Sequence, residues 1–382
     1  MHDFKASPLR FLFPIGIHRG SERAAREKAM IRRPSFYVVL MVWGLTHVQA
    51  EAGPKTKSVY PFQLPPARAF DVLEDLNKIG DGKAAISKDE RTLFANIKDG
   101  KPPNHSFAEI ALLASGVTDS ARRQKYLKQI DELEAAARKA IADARTTKEK
   151  GAKLLKFLHA GPLAKGYAAQ QTDLSVILDT NKFNCVSSAI LYNILAQRLG
   201  MQARGVRVPN HVFSVLEDAD RLIVVETTSA RGFDAHRRLP RTTLSELELV
   251  ASIYFNHGVE MIEKRKFHDA LAANFCALAL DPEDAEAVRN VRAVLINWGI
   301  ALERAGKFED ALFVCETGLR LEPGNSILKS NRVAIYDSWA QSHMDAGNWA
   351  DAVRVYEQGL ARIPGNGHLT NNLNYCKAQI ER

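Results

Sequence analysis

The stretch that decides the fold is residues 183–234, FNCVSSAILYNILAQRLGMQARGVRVPNHVFSVLEDADRLIVVETTSARGFD. Gly200 follows a run of apolar side chains at helical spacing: Ile190, Leu191, Ile194, Leu195 and Leu199. This spacing predicts a helix that ends near Gly200. Asn184 is a suitable N-cap, which places Cys185 in the first helical turn. The backbone N–H groups and the dipole at that end favour negative charge, so they lower the pKa of a thiol.

The second half of the stretch predicts a β-hairpin. Apolar and β-branched residues in VPNHVFSVL and RLIVVETTS flank the acidic segment EDAD. If the loop is residues 217–220, Leu216 pairs with Arg221, and the same register places His211 directly opposite Glu226 on one face. A shift of the register by one residue would separate these two side chains.

Cys185, His211 and Glu226 together suggest a thiol enzyme. An imidazole that is held by a carboxylate and lies near a thiolate activates the sulfur for acyl transfer. The Cys185 backbone N–H is a candidate oxyanion donor, and the sequence indicates no second one. Other interpretations stay open, because a single Cys in an apolar helix is commonly part of the core, and a single His is commonly structural. A zinc site made of the same three residues is also conceivable.

The same residues resemble a known family. FNCVSSAILYNILAQRLG, VPNHVFSV and VVETTS are similar to the transglutaminase-like superfamily, whose papain-like core carries a Cys–His–Asp triad in that chain order. The resemblance implies that Cys185, His211 and Glu226 are catalytic, with Glu226 in the place of the family's Asp. Because Glu is one methylene longer, its pairing with His211 must differ. The fold class implied is α+β, a papain-like or transglutaminase-like core with N-terminal helices.

Residues 1–50 have the pattern of an export signal. An arginine pair precedes the uncharged run 36–45, and a small-x-small cleavage site ends at Ala50. This pattern predicts a signal peptide that begins at Met30, and export to the periplasm or cell envelope. An uncleaved membrane anchor and a cytoplasmic chain are the alternatives. Residues 51–65 contain three prolines and are predicted to be a linker.

The charge balance argues against a nucleic-acid partner. The chain carries 52 Lys and Arg against 44 Asp and Glu, a net charge of +8. Residues 1–50 contribute 8 basic and 3 acidic side chains, which leaves +3 for the remainder. So small an excess gives nucleic-acid binding little support. The sequence has no phosphate-binding glycine loop, no cofactor motif and no CxxC pair, so neither cofactor nor metal is predicted.

Residues 66–245 are predicted to contain the core together with its N-terminal helical part. Asp119-Ser120 opens a long helix rich in Ala, Lys and Glu, and a shorter helix is predicted at 152–159. His105 and His159 are isolated in the sequence, and both are predicted to be structural or surface residues.

Residues 246–382 repeat with a period of 41. KFHDAL at 266, KFEDAL at 307 and NWADAV at 348 keep this step. The pattern resembles tetratricopeptide helix pairs, whose usual period is about 34. The surplus is about two helical turns, and we place it in the first helix of each pair, for example 285–305. The segment 368–381 is predicted to be the capping helix of the three-repeat array.

The array predicts a protein or peptide partner, because tetratricopeptide stacks bind such ligands on a concave face. A scaffold that only orients the core is the alternative. Cys276, Cys315 and Cys376 lie at apolar positions of the repeat helices, and whether two of them form a disulfide is left open.

The resemblance to the bacterial branch in which repeats follow the core implies one of two functions. The first is an exported enzyme that acts on amide bonds of proteins or peptides through a Cys185 thioester, with hydrolysis favoured over cross-linking. The second is an inactive fold that serves as an interaction module.

Overall fold

The computed structural model describes residues 66–80, 82–97, 105–219, 221–235 and 243–381. The predicted signal peptide and linker lie outside these residues. Helices come first in the chain: α1 (Pro66–Leu76), α2 (Lys88–Asn96), α3 (Phe107–Ala114), α4 (Ser120–Ala140), α5 (Thr147–Ala160), α6 (Leu174–Thr180) and α7 (Cys185–Arg198). Four strands follow: β1 (Gln202–Val208), β2 (His211–Asp218), β3 (Arg221–Val225) and β4 (Thr243–Leu244). Helices complete the chain: α8 (Glu246–Glu263), α9 (Phe267–Leu280), α10 (Ala285–Arg304), α11 (Phe308–Leu321), α12 (Ser326–Asp345), α13 (Trp349–Arg362) and α14 (Gly367–Ile380). Within the described ranges, every helix is too short or too polar to cross a membrane.

The strands form a small antiparallel sheet in the order β3–β2–β1–β4. Helix α7 leads through a short turn into β1, which then runs back along the helix. Fourteen helical residues and seven strand residues are of similar length, about 21 and 23 Å. The end of β1 and the start of β2 therefore lie beside the N-terminus of α7. The pair Val208–His211 closes this β-hairpin, so the fold brings His211 close to Cys185.

The register predicted between β2 and β3 is wrong by two residues. Asp218, not Leu216, pairs with Arg221, so the acidic segment contributes two residues to the strand. Ala219 adopts a left-handed conformation (φ 51°), which permits the tighter turn. Side chains alternate across a strand with a period of two, so this shift keeps His211 and Glu226 on one face and makes them diagonal neighbours. Strands β1 and β4 were not predicted from the sequence.

Helix α7 confirms the predicted N-cap. The Asn184 side-chain oxygen accepts hydrogen bonds from the backbone N–H groups of Val186 (2.9 Å) and Ser187 (3.1 Å). Its side-chain amide donates to the Ala169 carbonyl oxygen at 3.0 Å, which ties the preceding loop to the cap. Every residue from Cys185 to Ala196 is buried, which explains why this run lacks charge.

Asn184→Ala should destabilise the protein more than the matched cap variant Asn366→Ala. Both variants lose an N-cap, worth about 1 kcal/mol. Asn366 is partly buried and caps α14 through the Leu369 N–H alone, whereas Asn184 is 2% exposed and also loses the bond to Ala169, worth about 1 kcal/mol more. Urea unfolding gives the two free energies. Equal losses in the two variants would contradict this account of the cap.

The helices before the core partly follow the prediction. Helix α4 begins as predicted, with the Asp119 side chain accepting from the Arg122 N–H at 2.7 Å. Helix α5 begins at Thr147, five residues before the predicted start at 152. Thr146 and Glu149 form a reciprocal capping box, which fixes the earlier start. Helices α3, α4, α5 and α6 each pack against α7.

The C-terminal helices keep the 41-residue period. Helices α9, α11 and α13 begin at 267, 308 and 349, and α10, α12 and α14 begin at 285, 326 and 367. The predicted surplus in the first helices is confirmed, because α10 and α12 have 20 residues and α9, α11 and α13 have 14. Equivalent aromatic contacts recur at this period, with Phe267 stacked on Trp298 and Phe308 stacked on Trp339. The region is consistent with stacked helical repeats.

Arg207 of β1 connects the sheet to this helical region. Its guanidinium donates to Asp284 (2.9 Å) and Asp281 (3.3 Å) in the loop between α9 and α10, and to the Ser252 hydroxyl and the Glu248 carbonyl oxygen of α8. Burial raises the pKa of Asp281 to about 6, although Arg207 opposes the shift. Two nearly buried carboxylates share one cation, so removing Arg207 would leave them uncompensated.

Candidate active site

Cys185 lies in the first turn of α7 and is 9% exposed. Burial raises the pKa of its thiol, but a hydrogen bond from the His211 ring and the backbone N–H groups of Val212 and Val186 lower it by more. The net pKa is below the ordinary value. Because these donors favour the anion, the sulfur is prepared as a thiolate.

His211 lies between the sulfur and a carboxylate. Its Nε2 is 2.8 Å from Oε2 of Glu226, which leaves Nδ1 as the ring nitrogen for Cys185. The hydrogen bond with Cys185 and then that with Glu226 raise the pKa of His211 to about 9. The ring stacks on Phe213 with centroids 6.1 Å apart. Both shifts favour the thiolate–imidazolium pair over the neutral thiol and imidazole.

Glu226 lies one residue beyond β3 and is 8% exposed. Burial raises the pKa of its carboxyl group, but the hydrogen bonds with His211 and Thr228 lower it below the ordinary value. Oε1 accepts from the Thr228 hydroxyl at 2.7 Å, while Oε2 faces His211. Because Glu226 lies diagonally across from His211, its side chain, one methylene longer than that of Asp, can reach the ring. The pairing with His211 therefore differs from that of an Asp, as expected from the sequence.

Thr227 fixes the segment that carries Glu226. Its carbonyl oxygen accepts from Nε2 of His159 at 3.1 Å, and its hydroxyl hydrogen-bonds the Ser188 hydroxyl of α7 at 2.9 Å. Burial lowers the pKa of His159, consistent with a neutral ring that donates through Nε2. His159 therefore has a structural role, as predicted from the sequence, because it holds the residue that follows Glu226.

Tyr167 is a site residue that the sequence analysis missed. It lies in the loop before α6, and burial together with the nearby Cys185 sulfur raises the pKa of its hydroxyl. No spacing in the sequence places it there, because the contact depends on how the loop folds back along Phe183.

Comparison with known families identifies a domain that contains these residues. The family model described as the transglutaminase-like superfamily matches residues 124–237. These residues form a transglutaminase-like domain. The match covers Cys185, His211 and Glu226 as well as Tyr167 and His159. No curated protein matches the chain.

The comparison bears on the repeat region as well. No tetratricopeptide family model matches, so the assignment of the 41-residue helical pattern to that family stays a prediction. Within the described residues, no group of three or more His, Cys, Asp or Glu side chains is arranged to hold a metal ion. Cys276, Cys315 and Cys376 are free and buried.

Proposed function

We propose that this protein is a thiol enzyme that acts on amide bonds of protein or peptide substrates through a Cys185 thioester. The observation that carries the proposal is the position of the His211 ring, which is 2.8 Å from the Glu226 carboxylate and also interacts with the Cys185 sulfur. Each of these groups has a pKa shifted toward its charged form. Such shifts at one partly open position are typical of catalytic groups.

The chemistry follows from the charges. The Cys185 thiolate attacks the amide carbonyl carbon, so a C–S bond forms and the π electron pair moves to oxygen. When this intermediate collapses, the C–N bond breaks, and the imidazolium of His211 donates its proton to the leaving amine. Glu226 holds the ring in place throughout. Neutral His211 then accepts a proton from the water that attacks the thioester. The C–S bond breaks as this second intermediate collapses, which releases the acid and restores the thiolate–imidazolium pair. An amine in place of water would give a cross-link; hydrolysis is favoured because water is always present.

The test is the pH profile of alkylation by iodoacetamide, followed by mass spectrometry of each cysteine. Cys185 should label with a midpoint below the ordinary thiol pKa of about 8.5. Burial raises the pKa values of Cys276, Cys315 and Cys376, so these thiols should stay unlabelled at neutral pH and serve as internal controls. The variant Cys185→Ser should abolish the labelling. An ordinary midpoint at Cys185 would instead favour an inactive fold that acts as an interaction module.

Two further expectations from the sequence remain proposals. The N-terminal sequence pattern supports export to the periplasm or cell envelope. The stacked helices support a protein or peptide partner, and their attachment through Arg207 would hold that partner in a fixed orientation relative to the domain.

A further inference from the structure

Helix α8, the first helix of the helical region, departs from the repeat pattern where it contacts the sheet. Its residue Ala251 stands where α10 has Arg292. Arg292 donates to both carboxylate oxygens of Glu322, in the loop between α11 and α12, at 2.7 and 2.9 Å. One repeat earlier, the place of Glu322 is taken by Asp281, but the sequence of α8 contains no arginine to pair with it.

Arg207 of β1 supplies this missing cation. Its guanidinium donates to Asp281 at 3.3 Å and, through its other terminal nitrogen, to the Ser252 hydroxyl of α8 at 3.0 Å. A side chain of the sheet therefore takes the role that an arginine of α10 has in the next repeat. In the third helix pair, the two equivalent residues are apolar, Val333 and Ile363, so stacking of the helices does not by itself require an ion pair at this place.

A second departure of α8 from the pattern is His257, which stands where α10 and α12 each have a tryptophan. Its Nε2 is 2.7 Å from Oδ1 of Asp173, the residue that precedes α6. The neighbouring Asn256 side chain donates to the Thr172 hydroxyl at 2.7 Å. Helix α8 is thus joined to the loop before α6 as well as to the sheet.

The sheet contact leads to one side of the nucleophile. In the β1–β2 pairing, Arg207 lies opposite Val212, and the residue after Arg207 lies opposite His211. The His211 ring and the Val212 backbone N–H both favour the thiolate of Cys185. Arg207 therefore anchors the strand segment that presents these two groups.

The loop contact leads to the other side. The carbonyl oxygen of Gln171, next to Thr172, accepts from the backbone N–H of Asn184 at 3.1 Å and from the Ser187 hydroxyl at 2.7 Å. Asn184 is the N-cap of α7, and Ser187 lies in its first turn. The loop that His257 contacts therefore holds the end of α7 that carries the sulfur.

We propose that Arg207 and His257 are positioning residues of the active site, through which α8 holds the sheet and the N-terminus of α7 at a fixed separation. This role rests on the function proposed above, and it makes the helical region part of the catalytic unit in addition to a binding surface. An imidazolium and an amide N–H stabilise a thiolate only at hydrogen-bonding distance, so a small change in the separation would weaken both contacts.

The experiment measures the pH profile of iodoacetamide alkylation of the nucleophile in full-length variants. Arg207→Met is combined with Asp281→Asn and Asp284→Asn, so that no buried carboxylate loses its cation. Asparagine already caps α12 and α14, so the cap of α10 is kept. The midpoint should rise by about one pH unit, the shift expected when a hydrogen bond to a charged group is weakened. The matched control is Arg292→Met with Glu322→Gln, which removes the equivalent ion pair without touching the sheet and should keep the wild-type midpoint.

His257→Ala tests the same inference without removing a buried charge. Its midpoint should also rise, because the loop that holds the α7 cap would lose its link to α8. The control is His343→Ala of α12, whose ring is 4.0 Å from Asp351 and is 30% exposed, against 28% for His257. Urea unfolding of all four variants shows how much stability each one loses.

Raised midpoints in the two test variants, with wild-type midpoints in the two controls, would support the inference. An unchanged midpoint in a folded test variant would overturn it for that contact, which would then only stabilise the fold. Equal rises in tests and controls would also overturn it, since any loosening of the helices would then affect the sulfur. If the Arg207 variant does not fold, His257→Ala decides. A wild-type Cys185 that titrates like an ordinary thiol would remove the proposed function itself, whereas a low wild-type midpoint with unshifted variants would remove this inference alone.

Discussion

The variant His211→Ala should lose both the reactive thiolate and the acid–base group in one step. In the wild-type protein, the His211 hydrogen bond is the largest of the effects that lower the Cys185 pKa, and it works against burial. Without the ring, burial dominates and the thiol pKa rises. At pH 7, only a few per cent or less of the sulfur would then be thiolate. The midpoint of iodoacetamide alkylation should move to higher pH.

Acylation should suffer more than alkylation. A thiolate of higher pKa is intrinsically more nucleophilic, with a Brønsted coefficient of about 0.4–0.5, so part of the loss in thiolate fraction is offset in alkylation. The loss of proton donation to a leaving amine has no such offset. General acid catalysis of this kind accelerates a reaction about 10²–10⁴-fold. We therefore expect turnover of a peptide substrate to fall by at least that factor in His211→Ala, and alkylation at pH 7 to fall by less.

The control for this variant is His368→Ala on α14, whose ring lies near Asp337 and away from the site. Its alkylation profile should match that of the wild-type protein. An unchanged midpoint in His211→Ala would show that the backbone N–H groups of Val212 and Val186 lower the thiol pKa without the ring, which would remove the main support for the proposed triad.

The helix and the order of the site residues could be predicted from the sequence because both depend on local signals. Asn184 followed by an uncharged apolar run determines where α7 starts and that it is buried. The strand β1 was missed because QARGVRV lacks a clear alternation and contains a glycine. That omission matters, since β1 is the element that brings His211 back to Cys185.

The register error has an equally physical cause. Glu217 and Asp218 look like loop residues because acidic side chains are rare in strands. In the structure, Arg204 of β1 donates to Glu217 at 2.6 Å, so the neighbouring strand stabilises an acidic residue at that position. The predicted contact of His211 with Glu226 is nevertheless present, because a shift of two residues keeps both side chains on the same face of the sheet. Tyr167 and Thr227 could not be predicted, because loops far apart in sequence bring them to the site.

The variant Gly232→Ala should damage both the stability and the site, because the chain closes tightly on Glu226 at this point. A Cβ added at residue 232 would overlap the Glu226 carbonyl oxygen and would lie 2.7 Å from the Cβ of Glu226. The same two residues are joined by the Glu226 N–H, which donates to the Gly232 carbonyl oxygen at 2.8 Å. The Gly232 N–H donates to the Ser229 carbonyl oxygen, so residues 226–232 form a loop that backbone hydrogen bonds close, and a shift at residue 232 would disturb them. Overpacking of this kind costs about 1–3 kcal/mol, occasionally more.

A displaced Glu226 backbone would also weaken the carboxylate–imidazolium contact. The His211 pKa should then fall from about 9, and the Cys185 alkylation midpoint should rise because the imidazolium stabilises the thiolate. Urea unfolding measures the first effect and the alkylation profile measures the second. Gly367→Ala is the matched control, since a Cβ there meets nothing within 4 Å and the residue opens α14. Its stability should be unchanged or slightly higher. If the two alanine variants unfold at the same urea concentration and label with the same midpoint, the loop does not close on Glu226 as described, and the carboxylate must be held by its side-chain contacts alone.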